Sequence, residues 1–311
     1  MPAFTVQHVL TTEDRLSKEM DNSLEEAARQ AYFEDFVGER QGEGRKDRLE
    51  WLLTTAGIEK LDKGSMAFEN LATQSHEITH EDFGKGLKIS RNQFEDDEFG
   101  FAADWSAHQG VNVVLLPQVL ATNAIKANIT GYDGLSFYNA AHPINPMIGA
   151  SGGTYSNVLT GSALTVDNFA LACARLESFV APNGKTRGLK AKYLRVPPAL
   201  KKIALEITQA KQINATENVI ATNYGVKVII APELSAASGG SDTTWYVGTD
   251  MPGSTGMGKA WIYSLRRAFE FTSYDGVKQV ELSRLNELEW HVRGRAALAA
   301  GHPFLEVRCT A

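Results

Sequence analysis

The chain has 311 residues, 43% of them hydrophobic and 22% charged, with a net charge of −6. That balance suits one large or two ordinary globular domains and excludes a disordered polyelectrolyte. Apolar runs such as residues 113–116 and 228–231 stop at a proline, well short of the ~18 residues needed to cross a bilayer, so no membrane partner is expected.

No basic segment followed by an apolar core opens the chain, so no secretory signal is expected and a cytoplasmic site of synthesis and use is. Two cysteines, Cys173 and Cys309, are too few for a disulfide framework. Lys and Arg number 12 against 22 Asp and Glu in residues 1–100, leaving 19 against 15 for the remainder. The first third therefore carries −10 and the rest +4, which argues against phosphate binding by the N-terminal third and fits an acidic arm and loop lying on less acidic surfaces of neighbouring copies.

In chain order, Ser23-Leu24-Glu25-Glu26 has the form of a capping box and opens a predicted amphipathic helix with Leu24, Ala27, Ala28, Ala31, Tyr32 and Phe36 on its stripe. The stripe is short and rich in alanine, so this arm must dock on something larger, through Leu24, Ala28, Tyr32 and Phe36. Residues 38–44 read as a loop and 46–56 as a second short helix around Leu49, Trp51, Leu52 and Leu53. From 75 to 91 the period is two: His76, Ile78 and His80 alternate with acids and Thr79, then Phe83-Gly84-Lys85-Gly86 intervenes, then Leu87 and Ile89 alternate with Lys88 and Ser90. Alternation around glycines predicts a projecting hairpin.

Residues 96–128 return to helical texture, with acids at the first turn and Pro117 as a kink or break. Residues 131–161, rich in Gly, Asn, Ser and Pro, predict a long ordered loop with a short strand near 154–159. Thr165 can cap a helix with the stripe Val166, Phe169, Ala170, Cys173, Leu176 and Val180. A strand is predicted at 193–196, then a helix opened by Pro198 with Leu200, Ile203, Ala204 and Ile207 inward. Further strands are predicted at 226–230, 244–247, 261–272, 277–285, 287–293 and 304–309.

Two segments imitate catalytic motifs. His76-Glu77-Ile78-Thr79-His80 is a literal His-Glu-x-x-His, which in a zinc peptidase needs a helix to set both imidazoles on one metal. The β-branched Ile78 and Thr79 and the nearby glycines favour a strand, where residues i and i+4 lie about 13 Å apart. Gly253-Ser254-Thr255-Gly256-Met257-Gly258-Lys259 fits a phosphate loop until Ala260, where a magnesium-binding hydroxyl belongs, and the residues after it read as a strand rather than a helix. A zinc-dependent metallopeptidase using His76, Glu77 and His80 is the alternative reading; a phosphate-loop enzyme ranks below it.

The ordered set of hairpin, acidic exit, long helix, Tyr132-Asp133-Gly134, Ala141-His142-Pro143 and Val196-Pro197-Pro198 resembles the major head subunit of Mu-like phages. The resemblance covers about residues 45–205 by these motifs and the remainder by order of elements. It implies an α+β, Hong Kong 97-type major capsid fold with an N-terminal arm (1–45), a peripheral domain (46–130 and 261–300) and an axial α/β domain (131–260 and 301–311). The peripheral domain would carry an extended hairpin loop at 69–91 and a spine helix at 96–128. His76, Ile78, His80, Phe83, Lys85, Leu87, Lys88 and Ile89 would then contact a neighbouring subunit.

The implied function is a structural, non-enzymatic shell without cofactor or metal, assembled in a bacterial cytoplasm from pentamers and hexamers. Its implied partners are a separate scaffolding protein, a portal, a decoration protein and non-specifically contacted double-stranded DNA.

Overall fold

The computed structural model describes residues 6–52, 73–90, 92–93, 96, 100–210, 212–213, 216–217, 224–251, 258–273 and 287–311. Its first element, helix α1 (Val6–Gln30), begins far upstream of the expected capping box. Ser23 lies inside the helix, where its Oγ donates to the Met20 carbonyl at 2.8 Å. Leu16, Met20 and Ala27 form the buried stripe, whereas Leu24 is half-buried and Ala28 exposed.

The partner of α1 is the long helix α2 (Phe101–Ala127) of the same chain. Their crossing is close because Gly110 presents no side chain: a Cβ there would lie 2.6 Å from the Met20 carbonyl oxygen and 2.2 Å from Ser23 Oγ. One turn earlier, the buried Ser106 hydroxyl donates to the Leu16 carbonyl at 2.6 Å. Helix α2 runs through Pro117 without a break, and Asn128 caps it in the left-handed region, φ 49°.

Strand β1 (Val37–Gln41) replaces the loop expected at 38–44, and β2 (Lys46–Leu52) replaces the helix expected at 46–56. Lys46 and Arg48 face outward while Asp47 and Leu49 are buried, a period of two within a segment too short for its helical period to compete. Strand β3 (Thr73–Thr79) pairs antiparallel with β2, Lys46 opposite Thr79 and Leu52 opposite Thr73. Strand β4 (Glu81–Ser90) follows after His80 alone. The expected 75–91 hairpin is therefore not formed. Its two arms are real strands with different neighbours, and Gly84 and Gly86 sit inside β4 instead of turning the chain.

After α2 come the short strands β5 (His142–Pro143), β6 (Thr154–Tyr155) and β7 (Val158–Leu159), then helix α3 (Val166–Glu177). Thr165 caps α3 as expected, its side chain accepting from the Asn168 N–H at 3.2 Å. Strand β8 (Tyr193–Val196) leads through Pro197-Pro198 into helix α4 (Lys201–Gln209). Ala204 and Ile207 point inward, but Ile203, expected inside, is 38% exposed. The paired β9 (Gln212–Ile213) and β10 (Thr216–Glu217) follow, then β11 (Lys227–Ile230), β12 (Trp245–Gly248), β13 (Trp261–Ser273), β14 (Glu287–Ala300) and β15 (Glu306–Cys309). The strand expected at 277–285 falls outside the described residues.

Two sheets organise these elements. A four-stranded sheet in the order β1-β13-β14-β4 carries the long strands, β1 running parallel to β13. A five-stranded sheet in the order β11-β8-β12-β15-β7 packs against α3 and α4. One continuous apolar core joins them, from Phe36 and Ile125 through Phe137 and Trp261 to Leu194, Trp245 and Val307. The β2–β3 ribbon has its own small core, in which Leu49 and Ile78 pack on Ile262, Ala297 and Ala299.

Candidate assembly surfaces and the polar centres that position them

The β2–β3 ribbon starts from a tight corner after β1. Asp47 Oδ1 and Oδ2 accept the N–H groups of Gly44 (2.6 Å) and Glu43 (2.9 Å), and the His80 ring closes the corner from the other strand through Nε2 to Ser264 Oγ at 2.9 Å. A Cβ at Gly42 would strike that ring at 2.5 Å, so the turn needs glycine there. Burial alone would raise the Asp47 carboxyl; the two backbone donors, with His80 and Arg40 nearby, hold it below its ordinary value.

This corner also decides the peptidase alternative. His76 and Glu77 lie on β3, not on a helix; Glu77 points outward to Lys46 at 2.5 Å, while His80 points inward to Ser264. The two imidazoles do not converge on a common point, and among the described residues no cluster of three or more His, Cys, Asp or Glu side chains could hold a metal ion. The phosphate-loop imitation lies mostly outside the described residues. Its last members run straight into β13 instead of a helix, and Lys259 Nζ donates to the Glu34 carbonyl.

The Tyr-Asp-Gly and His-Pro motifs turn out to be one construction. Asp133 Oδ2 meets His142 Nδ1 at 2.5 Å, His142 Nε2 faces the Phe137 carbonyl at 3.0 Å, and both side chains are almost fully buried. Asn128 reaches across the same turn, donating to the Tyr138 carbonyl at 3.1 Å and accepting from its N–H at 2.8 Å. The exit from α2 is thus fixed by side chains in addition to backbone bonds such as Gly131 N–H to the Leu135 carbonyl and Phe137 N–H to the Ile129 carbonyl.

Deeper lies a buried ion pair that sequence patterning does not reveal. Arg195, in the middle of β8, directs Nη2 to Glu306 Oε1 of β15 at 2.5 Å, with both side chains at most 1% exposed. Tyr193 donates to Glu306 Oε2 at 2.7 Å and Tyr138 to Oε1. The guanidinium also stacks over Phe36 (4.2 Å) and Tyr246 (4.8 Å). Burial by itself would depress the Arg195 pKa, but Glu306 and the surrounding tyrosine oxygens reverse this and raise it.

Phe36 brings the arm into this centre, and a second set of contacts holds the arm's end. Tyr32 donates to Glu233, Gln118 Nε2 donates to the same carboxylate at 2.6 Å, and Lys227 binds Asp35 at 2.6 Å. The end of the arm therefore lies on Gln118, Lys227 and Glu233 of its own chain, where neighbouring copies were expected to receive it.

Of the residues expected to reach a neighbour, Ile78 and His80 are buried within the chain, while Phe83 packs half-buried against the main core. Leu87 and Ile89 pack on Leu288, Trp290 and Leu16. Lys88 bridges Glu287 (2.6 Å) and Glu289 (3.1 Å) across the sheet; His76 is half-buried and Lys85 exposed.

Residues 11–163, just under half the chain, match the family described as Mu-like prophage major head subunit gpT. The major capsid protein of Escherichia phage Mu is 28% identical over 109 residues, which is 34% of this chain; the match spans only about a third, 35%, of that relative's length. The procapsid structure of bacteriophage JBD30 aligns with 99% of this chain and 76% of its own subunit at 16% identity and a TM-score of 0.56. The mature capsid of bacteriophage PhiM1 aligns with 90% of this chain and 86% of its own at 11% identity and a TM-score of 0.58. At such identities the two structures speak for the fold alone. Residues 11–163 thus resemble the Mu-like prophage major head subunit family, and the chain as a whole has a Hong Kong 97-type capsid fold.

Proposed function

We propose that this chain is a major capsid protein, a structural subunit that self-assembles through pentamers and hexamers into an icosahedral phage head around double-stranded DNA. The architecture carries the reading: the chain, with its arm, long helix, two long strands, ribbon and second compact sheet, aligns over 99% of its length with the JBD30 procapsid subunit at a TM-score of 0.56. Residues 46–130 and 261–300 serve as the peripheral domain, 131–260 and 301–311 as the axial domain. In this reading the contact with a neighbour expected of residues 69–91 is carried by strands β2 (Lys46–Leu52) and β3 (Thr73–Thr79), because β4 is committed to β14 along its length.

The subunit acts without catalysis, in a bacterial cytoplasm, together with a separate scaffold, a portal and a decoration protein. Closed rings require heterologous contacts, each patch meeting a different patch of the next copy. Light scattering across a concentration series, with electron microscopy of the products, tests this. Rings or particles are expected, and a monomer at every concentration would refute the proposal.

A further inference from the structure

Residues 134–166 contain no Asp, Glu, Lys or Arg over 33 consecutive positions, in a chain that is 22% charged. At that average about seven charges belong there. Within this stretch the β5–β6 pair closes a loop, residues 144–153, whose tip exposes Met147 to 65% and Ile148 to 61%. The tip is a built structure. Ile144 N–H donates to the Gly153 carbonyl and Gly149 N–H to the Asn145 carbonyl, both at 3.0 Å, and Asn145 Oδ1 accepts from Met147 N–H at 3.0 Å. Gly149 (φ +71°) and Gly153 (φ +91°) supply the left-handed backbone that closes it. Two large apolar side chains are held out to solvent on a turn whose conformational freedom is already spent, the condition under which docking loses least entropy.

The same molecule carries a complementary surface. A groove runs between α2 and β4 in two cavities of about 190 and 330 Å³ that share Phe83, with Val113 and Leu116 lining the first and Leu120 and Leu298 the second. Its walls are largely apolar, with one charged side chain in each cavity, Lys85 and Glu81. No residue of the 144–153 loop lines either cavity, so the loop does not fill the groove of its own chain.

We propose that the 144–153 loop docks, Met147 and Ile148 foremost, into the α2–β4 groove of a neighbouring copy. The inference rests on the shell reading and deepens it by naming one contact that joins subunits. The charge match favours a second copy: a loop without charge meets a groove nearly without charge, as the cores of protein interfaces require. Every copy carries both halves, and an interface of knob and groove, two different patches, is heterologous, the type that closes into rings.

Both native cysteines are buried, so introduced surface thiols report on this contact alone. The M147C/L120C variant, brought to assembling conditions and oxidised with diamide, is expected to give a ladder of disulfide-linked oligomers on a non-reducing gel. Each single variant is expected to lack the ladder. A double variant that crosslinks no more than the singles would overturn the proposal.

In parallel, M147D/I148D should keep its thermal midpoint, since both positions are exposed. It should need an at least roughly tenfold higher concentration for half-assembly, because carboxylates enter an apolar groove. Assembly at the parent's concentration would count against the contact. The unsubstituted chain separates the two levels: if it assembles while these tests fail, only the loop contact falls, and if it stays monomeric, the shell reading and the contact fall together.

Discussion

Replacing Glu306 with Gln probes the polar centre most directly. The amide keeps the carboxylate's shape and can still meet Tyr193 and Tyr138, but it leaves the Arg195 guanidinium without a counter-charge where its side chain is 1% exposed. Removing one partner of a buried pair costs about 3–5 kcal/mol. The stacking over Phe36 and Tyr246 survives, but at about 0.5–2 kcal/mol per contact it was present before and restores nothing.

A loss of that size lowers the melting midpoint by roughly 5–8 °C for 311 residues, at an unfolding entropy of about 2.1 cal/mol/K per residue. Calorimetry reads this, and the fluorescence of the buried Trp245 and Trp261 follows the same core. Replacing both partners, R195M/E306L, removes the stranded charge and should be less harmful than E306Q alone. An E306Q variant within about 1 kcal/mol of the parent, or a double replacement worse than both singles combined, would refute the account.

Three further outcomes follow. Gly110→Leu puts a side chain where a Cβ already lies 2.6 Å from the Met20 carbonyl oxygen, so α1 must lift from α2 at a cost of about 1–3 kcal/mol. Limited proteolysis should then cut within residues 6–30 faster than in the parent, and equal rates would show that the crossing tolerates the insertion. Thr165→Ala removes the cap of α3 and should cost about 1 kcal/mol in denaturant unfolding, with an unchanged midpoint as the contrary result.

His302 gives the pH dependence. Burial, assisted by Arg187, pushes its pKa down to about 3 from 6.5. Between these values the unfolded chain binds a proton that the folded chain refuses, so stability falls with falling pH by about 1.4 kcal/mol per unit. His302→Gln should flatten that slope in urea titrations from pH 7 to pH 4; an identical slope would remove His302 from the explanation.

Elements whose own residues settle their conformation were legible in the sequence. Thr165 and the Phe169–Cys173–Leu176 stripe define α3, and the alternation of Leu288, Trp290 and Val292 defines the start of β14. Features set by distant partners were not. Residues 46–52 have apolar spacing compatible with a short helix, and only β3, with the small core of Ile262 and Ala297, makes them a strand. The glycines of 84–86 signal a turn locally, yet β14 holds that backbone extended. The Arg195–Glu306 pair joins positions 111 apart, so neither residue announces the other. One signal was available: an arginine inside the apolar run Tyr193-Leu194-Arg195-Val196 needs a buried counter-charge somewhere.

Strand β15 lies inside the five-stranded sheet, between β12 and β7, although it is made last of the five. During translation, β8, β11 and β12 emerge with Arg195 awaiting a carboxylate that the ribosome has not yet delivered. A chain halted before residue 306 lacks both the hydrogen-bonding edge that β7 and β12 need and the charge that lets Arg195 stay buried. This sheet therefore closes only after residues 306–309 have been made. Polypeptides halted before residue 306 cannot present the finished sheet, which in the proposed shell would keep defective copies from recurring as flaws in their neighbours' contacts.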